Sequence, residues 1–376
     1  MNESVAAPVT DEAARLESEK ILVASQWQLI RWRFAHHKVA VVSLFVLIFL
    51  YTLVIFAEFF APYDPRATDT DWMLAPSQAV HWVRDGRLVR PYVYGMTSEM
   101  DPQTFGITYE IDTDQVHPIY WFTHGSPYTL WGLFETDLHL FGVQEGTVFL
   151  LGTDTMGRDL LSRILHGGRL SLSVGLIGIA ISFLLGITIG GFSGYFGGTL
   201  DLATQRVIEF VRSIPTLPLW MALSVALPKD WSVIQVYFAI VVILSLVGWT
   251  GLARVVRGKF MALRSEDFVM AARISGSSEA RIIFRHMLPS FTSHIIASLT
   301  LSVPGMILGE TSLSFIGLGL QAPAISWGVL LKDAQHIRVL AKAPWLLAPG
   351  AFIVVAILAF NFLGDGLRDA ADPYGR

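Results

Sequence analysis

The chain has no cysteine and few charged residues. Without cysteine it forms no disulfide bond and offers no thiolate to a metal ion or a reaction. Only 15% of its 376 residues are charged, against roughly 25% in soluble proteins. The net charge of −4 is small, so we expect no nucleic-acid partner. Hydrophobic residues make up 53% of the chain, and long apolar runs indicate an integral membrane protein in a lipid bilayer.

Motifs of enzymes and of self-powered carriers are also missing. No GxxxxGK[ST] phosphate loop is present, so the chain has no ATP site of that kind. The ten histidines show no HExxH or comparable spacing, and neither Ser126 nor Ser162 lies in a nucleophile elbow. We therefore expect no catalytic residue, metal or cofactor in this chain. Glu58 and Glu310 are expected near span ends with no acid at mid-depth, which argues against proton or sodium coupling.

The apolar runs predict six membrane-spanning helices. The first covers 39–60 and follows a cytoplasmic and interfacial segment at 1–38. The others are expected at about 171–192, 214–227, 233–252, from 291 onward, and at 345–362. The basic residues before the first span are Arg15, Lys20, Arg31, Arg33 and Lys38. Because cytoplasmic flanks carry the excess of lysine and arginine, and the number of spans is even, both termini are expected in the cytoplasm.

The interval 61–150 differs from the rest of the chain. It is rich in proline and contains no apolar run that could cross a bilayer. It follows the first span, so we expect it outside the cytoplasm, either as a small domain of strands and loops or as an extended lid. Its four tryptophans could stack on sugars or peptides, or they could form a small core or lie at the membrane interface. They are Trp72, Trp82, Trp121 and Trp131.

The interval 151–376 is expected to form a core with the remaining five spans. Thr153 or Asp154 is expected to cap a short helix before the second span. Glycine recurs at every fourth position from Gly186 to Gly198, which predicts a face for close helix packing in lipid.

Two shorter segments of this core are less regular. The run 194–212 has the composition of a polar connection on the cytoplasmic side. The run 311–320 could prolong the fifth span or form a re-entrant turn, and 321–343 is expected outside the membrane.

A polar stretch at 265–289 lies between the fourth and fifth spans, in a loop at 253–290 that is rich in arginine. Helical spacing places four apolar residues near one face: Phe268, Ala271, Ala272 and Ile274. Gly276 suits a left-handed helix stop, and Ser277 or Ser278 can cap a second helix. The stretch therefore predicts an amphipathic helical hairpin in the cytoplasm.

From the residues alone, the apolar face of this hairpin has two explanations of equal weight. It lies on lipid or on its own bundle, or it docks on a partner protein. A transporter without intramembrane acids or a nucleotide motif needs an external source of energy, so a separate ATPase acting through the hairpin is one economical explanation. Two other classes stay open: a secondary carrier, and a membrane-anchored binding protein whose function lies in 61–150.

The hairpin resembles the coupling-loop signature of bacterial ABC importer permeases. That signature, EAA-x3-G-x9-I-x-LP, is matched by Ala271-Ala272, Gly276 and Leu288-Pro289 in register. Met270 stands in place of the glutamate and His286 in place of the isoleucine.

Three further stretches resemble the "C"-type permeases of the dipeptide, oligopeptide and nickel group. They are Ala61–Pro65, Gly152–Arg163, and Glu310–Gly319 followed by Ser326-Trp327-Gly328. The long insertion, with Asp201-Leu202-x3-Arg206 and Ile214–Leu217, is most similar to permeases of microcin-uptake and related peptide systems.

The resemblance implies an all-α integral membrane protein of the bacterial inner membrane. Its fold would be that of a type I ABC importer permease, with six transmembrane helices and a large periplasmic insertion between the first and second. The chain would form half of a translocation pathway for peptides or related small solutes. Its partners would be a "B"-type permease, two ABC ATPase subunits and a periplasmic solute-binding protein, with ATP and magnesium bound by the ATPases.

The resemblance also implies which residues couple to the ATPase. The docked helix would run from Phe268 to Ser275, Gly276 would be its turn, and 277–286 would return to the bundle. The full set is Phe268, Ala271, Ala272, Arg273, Ser275, Gly276, Leu288 and Pro289.

Overall fold

The structure is a computed structural model that describes residues 26–100, 102 and 107–371. Two of the basic residues used to orient the N-terminus, Arg15 and Lys20, lie outside this part of the chain. The described part begins with helices α1 (Gln26–His36), α2 (Lys38–Ile55) and α3 (Ala57–Phe60).

The membrane core follows the insertion. Its helices are α4 (Leu160–Phe196), α5 (Gly198–Ser213), α6 (Thr216–Val225), α7 (Val233–Leu263), α8 (Asp267–Ile274), α9 (Glu279–Arg281), α10 (Thr292–Thr300), α11 (Val303–Ile316), α12 (Trp327–Asp333), α13 (Ile337–Lys342) and α14 (Ala348–Ala371). A π-helical segment, Ile282–Met287, and a 3-10 turn, Leu288–Phe291, join α9 to α10. The helical run 279–316 is therefore nearly continuous.

Five helical segments in the described residues are long and apolar enough to cross a membrane, and not six. They are α2, α4, α7, the run 279–316, and the run 344–371. The predicted third span coincides with α6, which has only ten residues. Helix α5 occupies most of the stretch that was expected to be a polar connection, so this stretch is helical. The two helices are separated at Ile214-Pro215, because proline has no amide hydrogen to continue the helix.

Helix α4 begins earlier than the predicted span and has a different cap. The side chain of Asp159 caps it, with Oδ2 accepting a hydrogen bond from the Ser162 amide at 2.7 Å. The prediction that Thr153 or Asp154 provides the cap is wrong. Asp154 instead lies in the turn before the helix and forms ion pairs with Arg158 of that turn and Arg163 of α4.

The glycine face of α4 packs against α7, as predicted for three of its four members. A Cβ on Gly186, Gly190 or Gly194 would lie within 3.0 Å of residues 252–260 of α7. The closest approach is at Gly190, where a Cβ would meet the Ala253 carbonyl oxygen at 2.4 Å. Gly198 has open space around it and takes no part. Close backbone contact maximises dispersion attraction between helices in lipid.

The run 311–320 prolongs helix α11 as far as Ile316, where Gly317 (φ +86°) ends it. Glu310, in the last two turns of α11, is fully buried and accepts hydrogen bonds from Ser314 (2.8 Å) and Ser171 (3.2 Å). The following segment carries Trp327 into the core, where its indole donates to the Ile164 carbonyl at 3.0 Å. Glu310 therefore lies near the end of its span, as expected, and neighbouring segments shield its carboxylate from solvent.

The insertion contains five strands, so the expectation of an all-α chain is wrong there. Strands β1 (His81–Arg84), β2 (Arg87–Met100) and β3 (Ile107–Pro118) form one antiparallel sheet in that order. Strands β4 (Tyr120–Leu130) and β5 (Phe134–Gly142) form a second sheet. Its β5 is held to the end of the first span by a hydrogen bond from His139 to the Ala61 carbonyl at 2.6 Å.

The four tryptophans of the insertion divide into two kinds. Trp72 is partly buried, stacks on Tyr109 with ring centroids 6.0 Å apart and contacts Phe149. It belongs to a small core, one of the alternatives that the sequence left open. The other three, Trp82, Trp121 and Trp131, are each about half exposed.

Candidate functional site

The loop between α7 and the run 279–316 folds as the predicted helix–turn–helix. Helix α8 ends at Ile274, and the chain then turns at Gly276 with φ +77°. Ser278 caps the second helix through a hydrogen bond from the Arg281 amide to its Oγ. Of the two serines that could cap this helix, the structure selects Ser278.

Helix α8 is closed by paired backbone hydrogen bonds at its C-terminus. The Ser277 amide donates to the Ala272 carbonyl (3.1 Å), and the Gly276 amide donates to the Arg273 carbonyl (3.0 Å). This pair is the Schellman motif, which needs a left-handed residue at the position of Gly276. A Cβ at Gly276 would meet nothing within 4 Å, so only the backbone conformation demands glycine here.

The inner face of the hairpin is packed against the helix bundle. Val269, Ile282, Ile283 and Met287 are fully buried and join a cluster with Val256 and Phe260 of α7. Ala272 and Leu288 pack against the same cluster. Because this contact is continuous from α8 to the run 279–316, the hairpin and both long helices form one packed unit.

The outer face of α8 is apolar and exposed. Ile274 is 85% exposed, Phe268 42% and Met270 43%. The expectation that Phe268, Ala271, Ala272 and Ile274 share one face is therefore wrong for Ala272, which points inward with Val269. Sequence reasoning missed Val269, although its spacing of three residues from Ala272 was the available signal.

Arg273 connects α8 to the C-terminal end of α4. Its Nη2 donates a hydrogen bond to the Tyr195 hydroxyl at 2.9 Å, and its guanidinium lies 5.5 Å from the centre of that ring. The hydrogen bond to Tyr195 raises the pKa of Arg273 above its ordinary value, so the side chain stays charged. Within the predicted set, Arg273 thus contacts the bundle itself, while Ser275, Gly276 and Pro289 are exposed.

The described residues contain no group of three or more histidine, aspartate or glutamate side chains that could hold a metal ion. The hairpin carries basic residues and the acids Glu266, Asp267 and Glu279 beside its apolar residues. Its inner face is packed on the bundle, and an apolar outer face remains exposed.

Two family models match the sequence. The model described as "binding-protein-dependent transport system inner membrane component" matches residues 186–374, and the model of the N-terminal transmembrane domain of oligopeptide transport permease C matches residues 25–77. The first match contains the whole hairpin and the second contains α1, α2 and α3.

Several permease proteins are similar in sequence to more than half of the chain. The oligopeptide transport system permease protein OppC of Haemophilus influenzae is 34% identical over 378 residues, which cover 100% of this chain and 97% of that protein. OppC of Escherichia coli K12 is 33% identical over 96% of this chain and 95% of its own length. The dipeptide permease protein DppC of Bacillus subtilis is 40% identical over 59% of this chain and 68% of its length.

The described spans and these matches agree on a multi-pass protein of the inner membrane that acts in transport. The chain belongs to the family of binding-protein-dependent transport system inner membrane components, as a permease subunit of the C type in an ABC importer.

Proposed function

We propose that the chain forms half of a translocation pathway for peptides or related small solutes, beside a B-type permease. Relatives named for oligopeptide and dipeptide transport support this substrate class. The observation that carries the proposal is the outer face of α8, where Phe268, Met270 and Ile274 are exposed on a hairpin whose inner face is packed against the bundle.

This face is the proposed docking site for one of two ATPase subunits. Exposed apolar residues that cluster on one helix are typical of a protein interface. The site consists of Met270 and Ile274 together with the predicted Phe268, Ala271, Arg273, Ser275 and Gly276 on or next to the outer surface, with Ala272 and Leu288 as its packed support and Pro289 at its end. ATP and magnesium would bind to the ATPases, and no cofactor would bind to this chain.

Force transmission follows from the packing of the inner face. A displacement of α8 acts on α7 and on the run 279–316 through the buried Val269, Ile282 and Ile283. Because packed interiors are nearly incompressible, these helices would move with the hairpin. ATP-driven closure of the ATPases would thereby tilt the spans between inward-open and outward-open states.

Six crossings with both termini in the cytoplasm are part of the proposal. The sixth crossing would be supplied by α5 and α6 together, running along α7. Asp201 of α5 pairs with Arg257, with Nη2 and Oδ2 2.6 Å apart, and Ile208 packs with Trp249 and Ala253. Further along α7, Trp220 of α6 packs in one cluster with Leu244. The insertion 61–150 would then be periplasmic, on the side where a solute-binding protein delivers its ligand.

The test is a matched pair of substitutions. Ile274→Asp places a charge on the proposed docking face, and Ile337→Asp makes the same change at a residue 81% exposed on the opposite side of the proposed topology. In the co-expressed transporter we expect Ile274→Asp to reduce retention of the ATPases and peptide uptake by about tenfold or more, since a buried unpaired charge is costly. Ile337→Asp should retain the ATPases. Normal assembly and uptake with Ile274→Asp would show that the docking assignment is wrong.

A further inference from the structure

The turn that joins β4 to β5 carries no polar side chain at its tip. The five residues 130–134, here called the hairpin tip, are Leu130, Trp131, Gly132, Leu133 and Phe134. Trp131 is 50% exposed, Leu133 73% and Phe134 62%. Turns that face water are rich in glycine, proline, asparagine, aspartate and serine. An exposed apolar run at a turn therefore calls for a non-aqueous neighbour.

The turn that joins β1 to β2 in the same insertion has the composition of a turn that faces water. Its sequence, from Arg84 to Arg87, has charged residues at three of its four positions. Asp85 and Gly86 have φ values of +52° and +73°, and Trp131 and Gly132 have nearly the same values, +53° and +71°. Aspartate tolerates this left-handed conformation, whereas a bulky side chain is strained in it. The hairpin tip therefore retains tryptophan at a position where the backbone favours a small polar residue.

The hairpin tip is held at the end of the first span. The indole nitrogen of Trp131 donates a hydrogen bond to the Ile55 carbonyl at 3.0 Å, and its ring lies 5.2 Å from that of Phe56. Ile55 is the last residue of α2, whose outward face is apolar and exposed at Phe45, Ile48, Phe49 and Ile55 itself. The exposed apolar surface of the tip thus continues the surface that the first span presents to lipid.

A groove extends from the hairpin tip along the membrane helices. It has a volume of about 640 Å³, and Trp131 lines it together with Val54, Ile55, Ile234 and Phe238. Arg169, which forms an ion pair with Glu58, and Ser173 also border the groove, but most of its lining is apolar or aromatic and suits a hydrocarbon chain. The groove is a second feature that places hydrocarbon next to Trp131.

Two backbone amides of the hairpin tip form hydrogen bonds within the turn itself. The Gly132 amide donates to the Thr129 carbonyl (3.3 Å), and the Leu133 amide donates to the Leu130 carbonyl (3.0 Å). Any unpaired amide would have to give up its hydration on entering lipid, at a large cost. Since these two amides are paired within the turn, insertion of the tip leaves neither of them without a partner.

We propose that the hairpin tip inserts into the bilayer, between the lipid headgroups and the upper part of the acyl chains, at the end of the first span. Trp131 lies at the headgroup level, where tryptophan is enriched in membrane proteins, and Leu133 and Phe134 contact acyl chains. The second sheet of the insertion is thereby anchored to phospholipid, while the β1–β2 turn stays in water. The occupant of this surface is the lipid of the surrounding membrane.

The absence of cysteine allows a direct test by single-site labelling. Leu133→Cys and the control Leu88→Cys, at a residue 84% exposed next to the β1–β2 turn, are each labelled with an environment-sensitive fluorophore. The full chain is reconstituted in nanodiscs of phosphatidylethanolamine and phosphatidylglycerol, with and without lipids that carry a spin label near the headgroup. Thermal unfolding of both labelled variants is compared with that of the parent chain, so that a folding defect is recognised.

We expect the label at position 133 to be quenched by spin-labelled lipid about threefold more strongly than the label at position 88, because only the former lies among lipids. Aqueous iodide should show the opposite order. Equal iodide quenching at both positions would overturn the proposal, since the tip would then lie in water. Protection of position 133 from both quenchers would also overturn it, since protein would then cover the tip. If Leu133→Cys unfolds early, Phe134→Cys provides the same measurement on the neighbouring residue.

Discussion

The Nη2 atom of Arg273 donates a hydrogen bond to the Tyr195 hydroxyl at 2.9 Å, and this contact joins α8 to the C-terminal end of α4. The helix that is proposed to receive the ATPase is thus tied directly to α4, one of the helices long and apolar enough to cross a membrane. This hydrogen bond and the packed contacts of Val269 and Ala272 leave α8 little freedom to move independently of the bundle.

Removal of the Arg273 side chain charge should loosen this connection. In Arg273→Gln we expect faster amide hydrogen exchange over 267–275 and a several-fold loss of uptake per ATP hydrolysed, because force applied to α8 would be dissipated locally. Arg281→Gln makes the same change in charge at an exposed residue of the same loop and should leave both quantities near the parent values. Equal effects of the two substitutions would assign the result to lost positive charge and not to the contact with Tyr195.

Gly276 is expected to be required for its backbone conformation alone. Gly276→Ala should lower the free energy of unfolding by about 1 kcal/mol, because alanine is disfavoured at φ +77° while no atom lies within 4 Å of the new Cβ. Gly258→Ala is the control, since Gly258 lies in helix α7, has a comparably open surrounding and should be neutral or stabilising as alanine. Thermal unfolding of the purified protein in detergent compares the two, and a stabilising Gly276→Ala would contradict the expectation.

The contact between α4 and α7 should be sensitive to a single methyl group. Gly190→Ala would place Cβ 2.4 Å from the Ala253 carbonyl oxygen, which forces the helices apart and should cost about 1–3 kcal/mol. Gly305→Ala in α11 adds the same methyl group where nothing lies within 4 Å. Thermal unfolding in lipid nanodiscs should show a clear loss for position 190 and none for position 305. A Gly190→Ala protein as stable as the parent would mean that these two helices are not in backbone contact.

Asp159 should make stability depend on pH. Burial of its carboxyl raises the pKa of Asp159 to about 6 from 3.8, although hydrogen bonds from Ser162 act in the opposite direction. A raised folded-state pKa means that the contribution of this group is fully present below about pH 4 and is lost as the pH rises through 6. The loss corresponds to roughly 3 kcal/mol for a shift of about two units.

The variant Asp159→Asn isolates this contribution. Asparagine can still accept the Ser162 amide hydrogen bond at the start of α4, but it does not titrate. We expect the decrease in unfolding temperature between pH 5 and pH 7.5 to be smaller in the variant than in the parent chain. An identical decrease in both proteins would show that Asp159 does not titrate in this range.

Much of the hairpin could be predicted from local sequence. Gly276 as the helix stop and a serine as the second cap follow from backbone rules that involve only neighbouring residues. The orientation of α8 could not be predicted in the same way. Four apolar residues at helical spacing indicate an apolar face, but only contact with Phe260 and Ile283 decides that Val269 and Ala272 lie inside and Phe268 and Ile274 outside.

The insertion shows the same division more sharply. Its prolines and lack of apolar runs excluded a membrane span, and both a small domain and a lid remained possible. The number of strands and their pairing depend on contacts between residues far apart in the chain, such as the bond from His139 to Ala61, and these leave no periodic signal. The tryptophans could be counted in the sequence, yet only the fold places Trp72 in a core and Trp131 beside Ile55.

The sequence by itself determined that this protein lies in a membrane, that it has no cysteine, and where the hairpin at 265–289 turns. These properties follow from composition and from interactions within a few residues of the chain. The tertiary structure alone decided that α5 is a helix, that Asp159 and not Asp154 caps α4, and that Arg273 binds Tyr195. The physical reason is that hydrogen-bond partners and burial depend on segments that are distant in sequence and come together in folding. A local sequence pattern does not indicate which segments will be in contact.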